Sequence, residues 1–357
     1  MDELERWRNP GNWRRPGAVT ITQRSPVRAG DSTFAMLQEA GIAATVAPLL
    51  DAQGNVSATV QQADVVVSGG QRLTADLIGQ MSACRLLLRP YVGYDDIDVD
   101  AATASGILFA NVPDAFSEEV AIHAVALILA LNRGLLRMDR YVRDGSWGKR
   151  RTRADVELHR PAVQTVGLVG FGVIARMAAE RLRPFGYRLL VSDPYIPAED
   201  ATPYGATLVP LEQLLAESDV VSLHVLLNES TRHLMNAARL AQMKQGAVLI
   251  NTCRGPVVDE AALAAALRSG HLGGAGLDVF EQEPIDQDHP FVGMEQVILT
   301  PHAASQSVEG VAQLRRRVAE ITASVAGGAM PERKVVVNKG LYDQLVGLPE
   351  LANVPRA

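Results

Sequence analysis

Three ionisable residues of complementary type stand just beyond apolar runs in the second half of the chain. Arg254 follows AVLINTC, Glu283 follows GAGLDVFEQ, and His302 follows VILTP. Runs of this kind read as strands buried in a sheet, and open α/β sheets place their ligands beyond the carboxyl ends of strands. A guanidinium is a permanent cation with a planar donor fork. An imidazole gives or takes a proton near neutral pH, and a neighbouring carboxylate favours its charged form. Taken singly, each residue has an ordinary explanation: a surface ion pair, a loop carboxylate, a capping or core histidine. Three of them at strand ends of one sheet form a candidate site for proton transfer beside a bound anion or carbonyl.

A second signal lies upstream, in VGLVGFGVIARMAAERL. Gly170, Gly172 and Ala175 make a G-x-G-x-x-A pattern between a strand and a helix. The first glycine permits the tight turn, the second lets the backbone approach a pyrophosphate, and the small Ala175 lets helix and strand pack closely. The N–H groups of Val173 and Ile174 open the helix and face the phosphates. Such a loop alone is weak, because glycine-rich βα turns are common. It is strengthened by Asp193, which ends the next strand 21 residues beyond Gly172. An acid about 20 residues on binds a ribose 2′-hydroxyl, and its charge would repel a 2′-phosphate. The expected ligand is therefore NAD (NADH) rather than NADP.

The elements that must carry these residues form two α/β series. In the first, AVTIT (18–22), IAATVA, DVVVS (64–68), RLLLR (85–89) and ILFAN (107–111) alternate with helical segments such as DSTFAMLQEA and TADLIGQM. Short runs that are apolar at every position indicate strands buried on both faces of a parallel sheet. SEEVAIHAVALILALNR (117–133) is the strongest helix, with Ser117 as a cap, Glu118 and Glu119 at its positive end, and Gly134 after it. It is apolar nearly all round, so it should be buried within the subunit or at an interface. The polar stretch VRDGSWGKRRTRADVELHRPAV has the composition of a linker. The second series starts at Val163, with strands near 163–169, 187–192, 219–224, 247–251, 274–279 and 297–300.

Composition bounds what this scaffold does. The 357 residues suggest about two domains, and 47% hydrophobic with 21% charged residues is globular composition. Acidic residues (40) outnumber Lys and Arg (34), a net charge of −6, so there is no basic footprint for nucleic acid or an anionic membrane. The longest apolar run, Val120–Leu131, falls short of the ~20 residues of a spanning helix. The first seventeen residues carry no apolar targeting core and read as an extension, loose or packed on a neighbour. Cys84 and Cys253 are the only cysteines, and no metal site is expected. A cytoplasmic enzyme fits these bounds.

The chain also resembles the D-isomer-specific 2-hydroxyacid dehydrogenase family. The matching stretches are LRPYVGYDDIDV, NVPDAFSEEVAIHAVALILA, VGLVGFGVIA, SDPY, VSLHV, NTCRGPVVDEAAL, GLDVFEQEP and TPHAAS, in family order from about residue 64 to 340. The resemblance implies an NAD-dependent oxidoreductase interconverting a 2-oxo acid and a D-2-hydroxy acid by hydride transfer. Arg254 would bind the substrate carbonyl and carboxylate, and His302 would be the acid/base with Glu283 as its partner. Asp278 would hold the nicotinamide carboxamide. His224, Thr252, Cys253, Arg254 and His302 would line the cofactor, with Cys253 a small buried residue rather than a reactive thiol. His123 and His271 are read as structural.

The family's connectivity implies a Rossmann NAD-binding domain (116–303) inserted into a flavodoxin-like substrate domain (18–115 plus 304–357, including KVVVN at 334–338). Both are doubly wound parallel sheets, with the ligand cleft between them, and a homodimer would form through helix 117–133 and the DGSW segment. In the substrate loop, Arg89-Pro90-Tyr91-Val92-Gly93-Tyr94-Asp95-Asp96, the backbone of Val92 and Gly93 would hold the substrate carboxylate, with Arg89 beside it. Tyr91 replaces a usual glycine and is expected to reshape the pocket wall. Val173 replaces an arginine that many members carry, which would weaken phosphate attraction modestly. The alternatives are an NAD(H)-binding co-repressor of the same family and a phosphite dehydrogenase; Glu283 argues against formate dehydrogenase, whose histidine partner is glutamine.

Overall fold

The computed structural model describes Leu4, Trp7 and residues 17–147, 158–351 and 354–356. They divide into two compact units, one running to Phe116 and resuming at Ser307, the other spanning Ser117–Gln306.

The first unit holds a five-stranded sheet of β1 (Val19–Thr22), β2 (Ala44–Ala47), β3 (Val65–Val67), β4 (Leu86–Arg89) and β5 (Leu108–Asn111). The order is β2-β1-β3-β4-β5 and every pairing is parallel. Alternate side chains enter opposite cores. Val65, Val67, Leu86 and Leu88 join one cluster, while Val66 and Leu87 join the other. This is why the strands are apolar at every position rather than at every second one. Helix Val308–Ala326 returns the chain and packs Leu314, Val318, Ile321 and Val325 into the first of those clusters. KVVVN contributes a single antiparallel bridge, Val336 to Ala110, and Asn338 closes the β5 edge by accepting from Phe109 N at 2.9 Å.

The extension is not simply loose or packed on a neighbour. Trp7 is fully buried in this unit's own core, and its indole N–H donates to Gly106 O at 2.7 Å. One large aromatic side chain with a satisfied donor anchors a segment that has no apolar period. Apart from Leu4, Trp7 and Gly17, the extension lies outside the described residues, as do residues 148–157 of the linker.

The second unit holds β6 (Thr165–Val169), β7 (Arg188–Ser192), β8 (Ala206–Leu208), β9 (Val220–Leu223), β10 (Val248–Asn251), β11 (Gly274–Leu277) and β12 (Val297–Leu299). The order is β12-β11-β10-β9-β6-β7-β8, all parallel. The order reverses at β6, so a crevice opens between the carboxyl ends of β6 and β9, where such sheets bind ligands. Strand β8 has no clear sequence signal: it is three residues long, at an edge, with only Ala206 buried.

Helix Ser117–Asn132 lies on β10 and β11. It comes close because β11 reads Gly-Ala-Gly-Leu: a Cβ at Gly276 would lie 3.1 Å from Leu127 Cβ. Its burial is one-sided, since Ile122 is 50% exposed. The following helix, Leu135–Arg143, buries no residue, and Leu135, Val142 and Trp147 are more than half exposed. Among the described residues no single helix is long and apolar enough to cross a membrane.

Candidate active site

Strands β10, β11 and β12 are neighbours, and the residues beyond their carboxyl ends converge. Arg254 comes from the turn after β10, Asp278 and Glu283 from the segment after β11, and His302 from the turn after β12. The first two turns touch through Gly255, whose position leaves no room for a side chain: a Cβ there would sit 1.8 Å from the carbonyl carbon of Phe280. That approach sets Arg254 beside the loop that carries Glu283.

His302 Nδ1 lies 2.7 Å from Glu283 Oε2, and Glu283 Oε1 accepts the Phe280 N–H at 2.9 Å. Donation from Nδ1–H to Glu283 raises the His302 pKa above the ordinary imidazole value, against opposing desolvation and the charge of Arg254. Burial pushes the Glu283 carboxyl up. The His302 hydrogen bond, the Phe280 N–H and the charges of His302 and Arg254 outweigh it, so the pKa is lowered overall. With Nδ1 engaged, His302 Nε2 is the ring atom left for proton exchange. The His302 backbone adopts φ +51°, the left-handed region that side chains with a Cβ rarely occupy.

Asp278 is bound into the turn after β12. It is fully buried, and its oxygens accept from Thr300 Oγ1 (2.6 Å), Ala303 N (2.9 Å) and Ala304 N (2.9 Å). Its main-chain oxygen also accepts the His302 N–H at 2.8 Å. The carboxylate therefore holds the turn that presents His302. Thr300 and His123, 3.0 Å from it, belong to the same cluster although neither stands out in the sequence. The available signal is register: His123, Leu127 and Leu131 lie four residues apart on one helix face, and Gly274, Gly276 and Asp278 lie two apart on one strand face.

At the switch point, Gly170 has φ +83°, and a Cβ would lie 2.6 Å from His224 O, so the fold itself requires glycine. Gly172 differs. Its φ of −74° suits any residue and nothing lies within 4 Å of a built Cβ. The fold does not need glycine there; what it leaves is open space over the start of helix Val173–Leu182. The first-turn N–H groups of Val173 and Ile174 have no helical acceptor, and Val173 is 58% exposed. Asp193 clamps the loop, taking Phe171 N on one oxygen (2.8 Å) and Tyr195 N on the other (2.9 Å). Thr252 Oγ1 is buried without a hydrogen-bond partner. A dinucleotide fits this set: an open helix terminus for its phosphates, a carboxylate for a ribose and an orphan hydroxyl beyond β10.

His224 lies at the end of β9 with Nε2 2.9 Å from Ser222 Oγ, and burial lowers its pKa to about 4, so it is neutral. Burial pushes the Cys253 thiol up to about 11, which leaves it protonated and unreactive at neutral pH.

The substrate-loop residues belong to the first unit, at the end of β4. Arg89 is buried. Its guanidinium pairs with Asp96 at 2.6 Å, donates to Ser68 O at 3.3 Å and lies 5.2 Å from the Tyr91 ring centroid. These contacts place the Arg89 guanidinium beneath the Tyr91 ring. The carbonyls of Tyr91 and Val92 accept from Val112 N (3.2 Å) and Asn111 Nδ2 (2.7 Å). The N–H groups of Val92 and Gly93 meet no protein acceptor among the described residues.

Residues 125–304 match the family model described as D-isomer specific 2-hydroxyacid dehydrogenase, NAD binding domain. The chain is 41% identical over 270 residues to a glyoxylate reductase of Korarchaeum cryptofilum, covering 74% of this chain and 79% of the relative. The chain belongs to the D-isomer-specific 2-hydroxyacid dehydrogenase family. This dehydrogenase is also 36% identical over 278 residues to a D-3-phosphoglycerate dehydrogenase of Methanocaldococcus jannaschii, across 77% of this chain and 52% of that one. Among solved structures, a D-lactate dehydrogenase from Aquifex aeolicus complexed with NAD and lactic acid matches with TM-score 0.76 and 29% identity, covering 87% of this chain and 96% of that chain. Membership makes the dehydrogenase an NAD-dependent oxidoreductase of 2-hydroxy acids with a nicotinamide dinucleotide cofactor.

Proposed function

We propose that the protein reduces a small 2-oxo acid to the D-2-hydroxy acid with NADH, and runs the reverse oxidation, with His302 as acid/base and Arg254 as substrate clamp. The observation that carries this is the 2.7 Å contact between His302 Nδ1 and a Glu283 carboxylate itself fixed by Phe280 N–H. Glu283 favours the charged imidazole and fixes the ring, so that Nε2 delivers a proton to the nascent alkoxide in reduction and removes one in oxidation. The guanidinium of Arg254 neutralises charge on the carbonyl and carboxylate oxygens. A dinucleotide held there would supply the hydride in reduction and accept it in oxidation. Gly172, Val173 and Ile174 at the helix start would hold its phosphates. Asp193 would accept from the ribose hydroxyls and disfavour a 2′-phosphate, with His224, Thr252 and Cys253 alongside.

The free N–H groups of Val92 and Gly93 are assigned to the substrate carboxylate, and Tyr91 to the wall around its side chain. The relatives named above make glyoxylate the first acid to try, with pyruvate, hydroxypyruvate and larger acids after it. The open apolar surface of Ile122, Leu135, Val142 and Trp147 supports a homodimer, which light scattering of the purified protein would test.

The deciding experiment follows NADH oxidation across that panel for wild type, Arg254→Ala and His302→Ala, with NADPH in parallel. Turnover that collapses in both variants supports the assignment. Tight NADH binding without turnover of any acid overturns it and favours phosphite oxidation or a docking role.

A further inference from the structure

The buried side of the His302 turn is tied to helix Ser117–Asn132 by a chain of hydrogen-bonded side chains. Thr300 Oγ1 lies 2.6 Å from Asp278 Oδ1 and 3.0 Å from His123 Nε2. Asp278 also accepts two backbone N–H groups, and the Thr300 hydroxyl donates its single proton to it. That oxygen can then only accept from His123. Nε2 of His123 therefore carries a hydrogen in either charge state, and the bonds run in one direction, His123 to Thr300 to Asp278.

Backbone register explains why these three meet. Gly274, Gly276 and Asp278 share the face of β11 and its continuation that the helix covers. Going back along the helix, Leu131, Leu127 and His123 come round once per turn. A Cβ at Gly274 would lie 3.4 Å from Leu131, and one at Gly276 within 3.1 Å of Leu127 and 3.3 Å of Leu131. One turn further on, the polar member of the helix row meets the polar member of the strand row, with His123 Nε2 3.8 Å from Asp278 Oδ1. A left-handed backbone at a residue bearing a side chain persists only where its surroundings over-determine it. At His302 those surroundings are the N–H bond to Asp278 O and the Asp278 carboxylate bridging Ala303 and Ala304.

We propose that His123 is a positioning residue for catalysis: acting through Thr300 and Asp278, it holds the 300–304 turn so that His302 stays on Glu283. The proposal rests on His302 being the acid/base. The charged groups acting on His302 are Glu283, Arg254 and Asp278. The partners facing His123 are Thr300 and Asp278.

The test is the pH dependence of kcat/KM for NADH-dependent reduction of glyoxylate, or of the best acid in the panel, in full-length variants. In His123→Leu and Thr300→Val the alkaline limb is expected to move down towards the ordinary histidine value. kcat should fall by on the order of tenfold to a hundredfold, with KM for NADH little changed. His123→Gln keeps an N–H donor at similar reach, Thr300→Ser keeps the hydroxyl, and both should retain the wild-type limb. An unshifted limb in His123→Leu and Thr300→Val overturns the proposal, and so does a His123→Gln enzyme as impaired as His123→Leu. If His123→Leu does not fold, Thr300→Val against Thr300→Ser decides. His302→Gln run alongside separates the two levels: activity retained there sinks the assignment of the acid itself, whereas activity lost there with an unshifted limb in the others sinks only the role of His123.

Discussion

Nδ1 of His302 and Oε2 of Glu283 are 2.7 Å apart, and their pKa values move in opposite directions, His302 up and Glu283 down. Both shifts favour the charged pair. The histidine contribution to stability is complete below the ordinary imidazole value and is lost as pH rises through the raised folded value. The carboxylate contribution is present above the ordinary carboxylate value and is lost as pH falls through the lowered one. The pair therefore stabilises the fold most between the ordinary carboxylate and ordinary imidazole values, and the effect fades outside them as each shifted value is crossed. Both side chains are substantially exposed, so screening keeps the effect small. Thermal melts of wild type and Glu283→Gln across pH should differ only within that window.

The same pair sets the kinetics. Reduction consumes the imidazolium, so kcat/KM should fall as pH rises through the His302 pKa. Glu283→Gln removes the charge that raises that value, and the alkaline limb should move to lower pH. His302→Ala should cost about 10² to 10⁴ in kcat, with NADH affinity nearly unchanged. Steady-state profiles with a fluorescence titration of NADH check both.

Asp193 has two functions in one side chain, because its oxygens clamp Phe171 N and Tyr195 N while its charge faces the expected ribose site. Asp193→Asn removes the charge and keeps an acceptor, and should narrow the preference for NADH over NADPH. Asp193→Ala frees the loop as well, each lost charge-assisted bond being worth ~1.5–3 kcal/mol, and should weaken both cofactors. Dissociation constants for NADH and NADPH with the two variants distinguish charge from clamp.

The glycines divide by what surrounds them. Gly255→Ala drives a Cβ into the Phe280 and Glu281 backbone and should destabilise the protein by about 4 kcal/mol or more, with loss of activity, in denaturant melts. Gly172→Ala meets nothing within 4 Å and should leave the melt unchanged while raising the NADH dissociation constant by about tenfold, ~1.4 kcal/mol.

Tyr91→Gly removes the ring that Arg89 supports from beneath. Relative activities across small, branched and aromatic 2-oxo acids should change more than the rate with the best acid. An unaltered rank order would show that Tyr91 does not shape the pocket.

Much of this was legible in the primary structure, because the signals are local. Runs such as Val65–Val67 and Leu86–Arg89, buried on both sides, can only be parallel strands between helices. Gly170 is demanded by a positive φ, and the spacing from Gly172 to Asp193 spans one βα unit. Arg254, Glu283 and His302 could be paired on paper because each follows a strand of one sheet. Tertiary structure decided what depends on distance between segments remote in the chain. Trp7 is a core residue because Gly106 O accepts its indole N–H. Arg89 is buried on Asp96, and Asp278 accepts from Thr300. His123, unremarkable within an apolar helix, reaches the turn of His302 only because two glycines in β11 let that helix settle onto the sheet. A sequence fixes which side chains a strand or helix presents; how closely two such faces approach, and so which polar atoms meet, is set by packing across the interface.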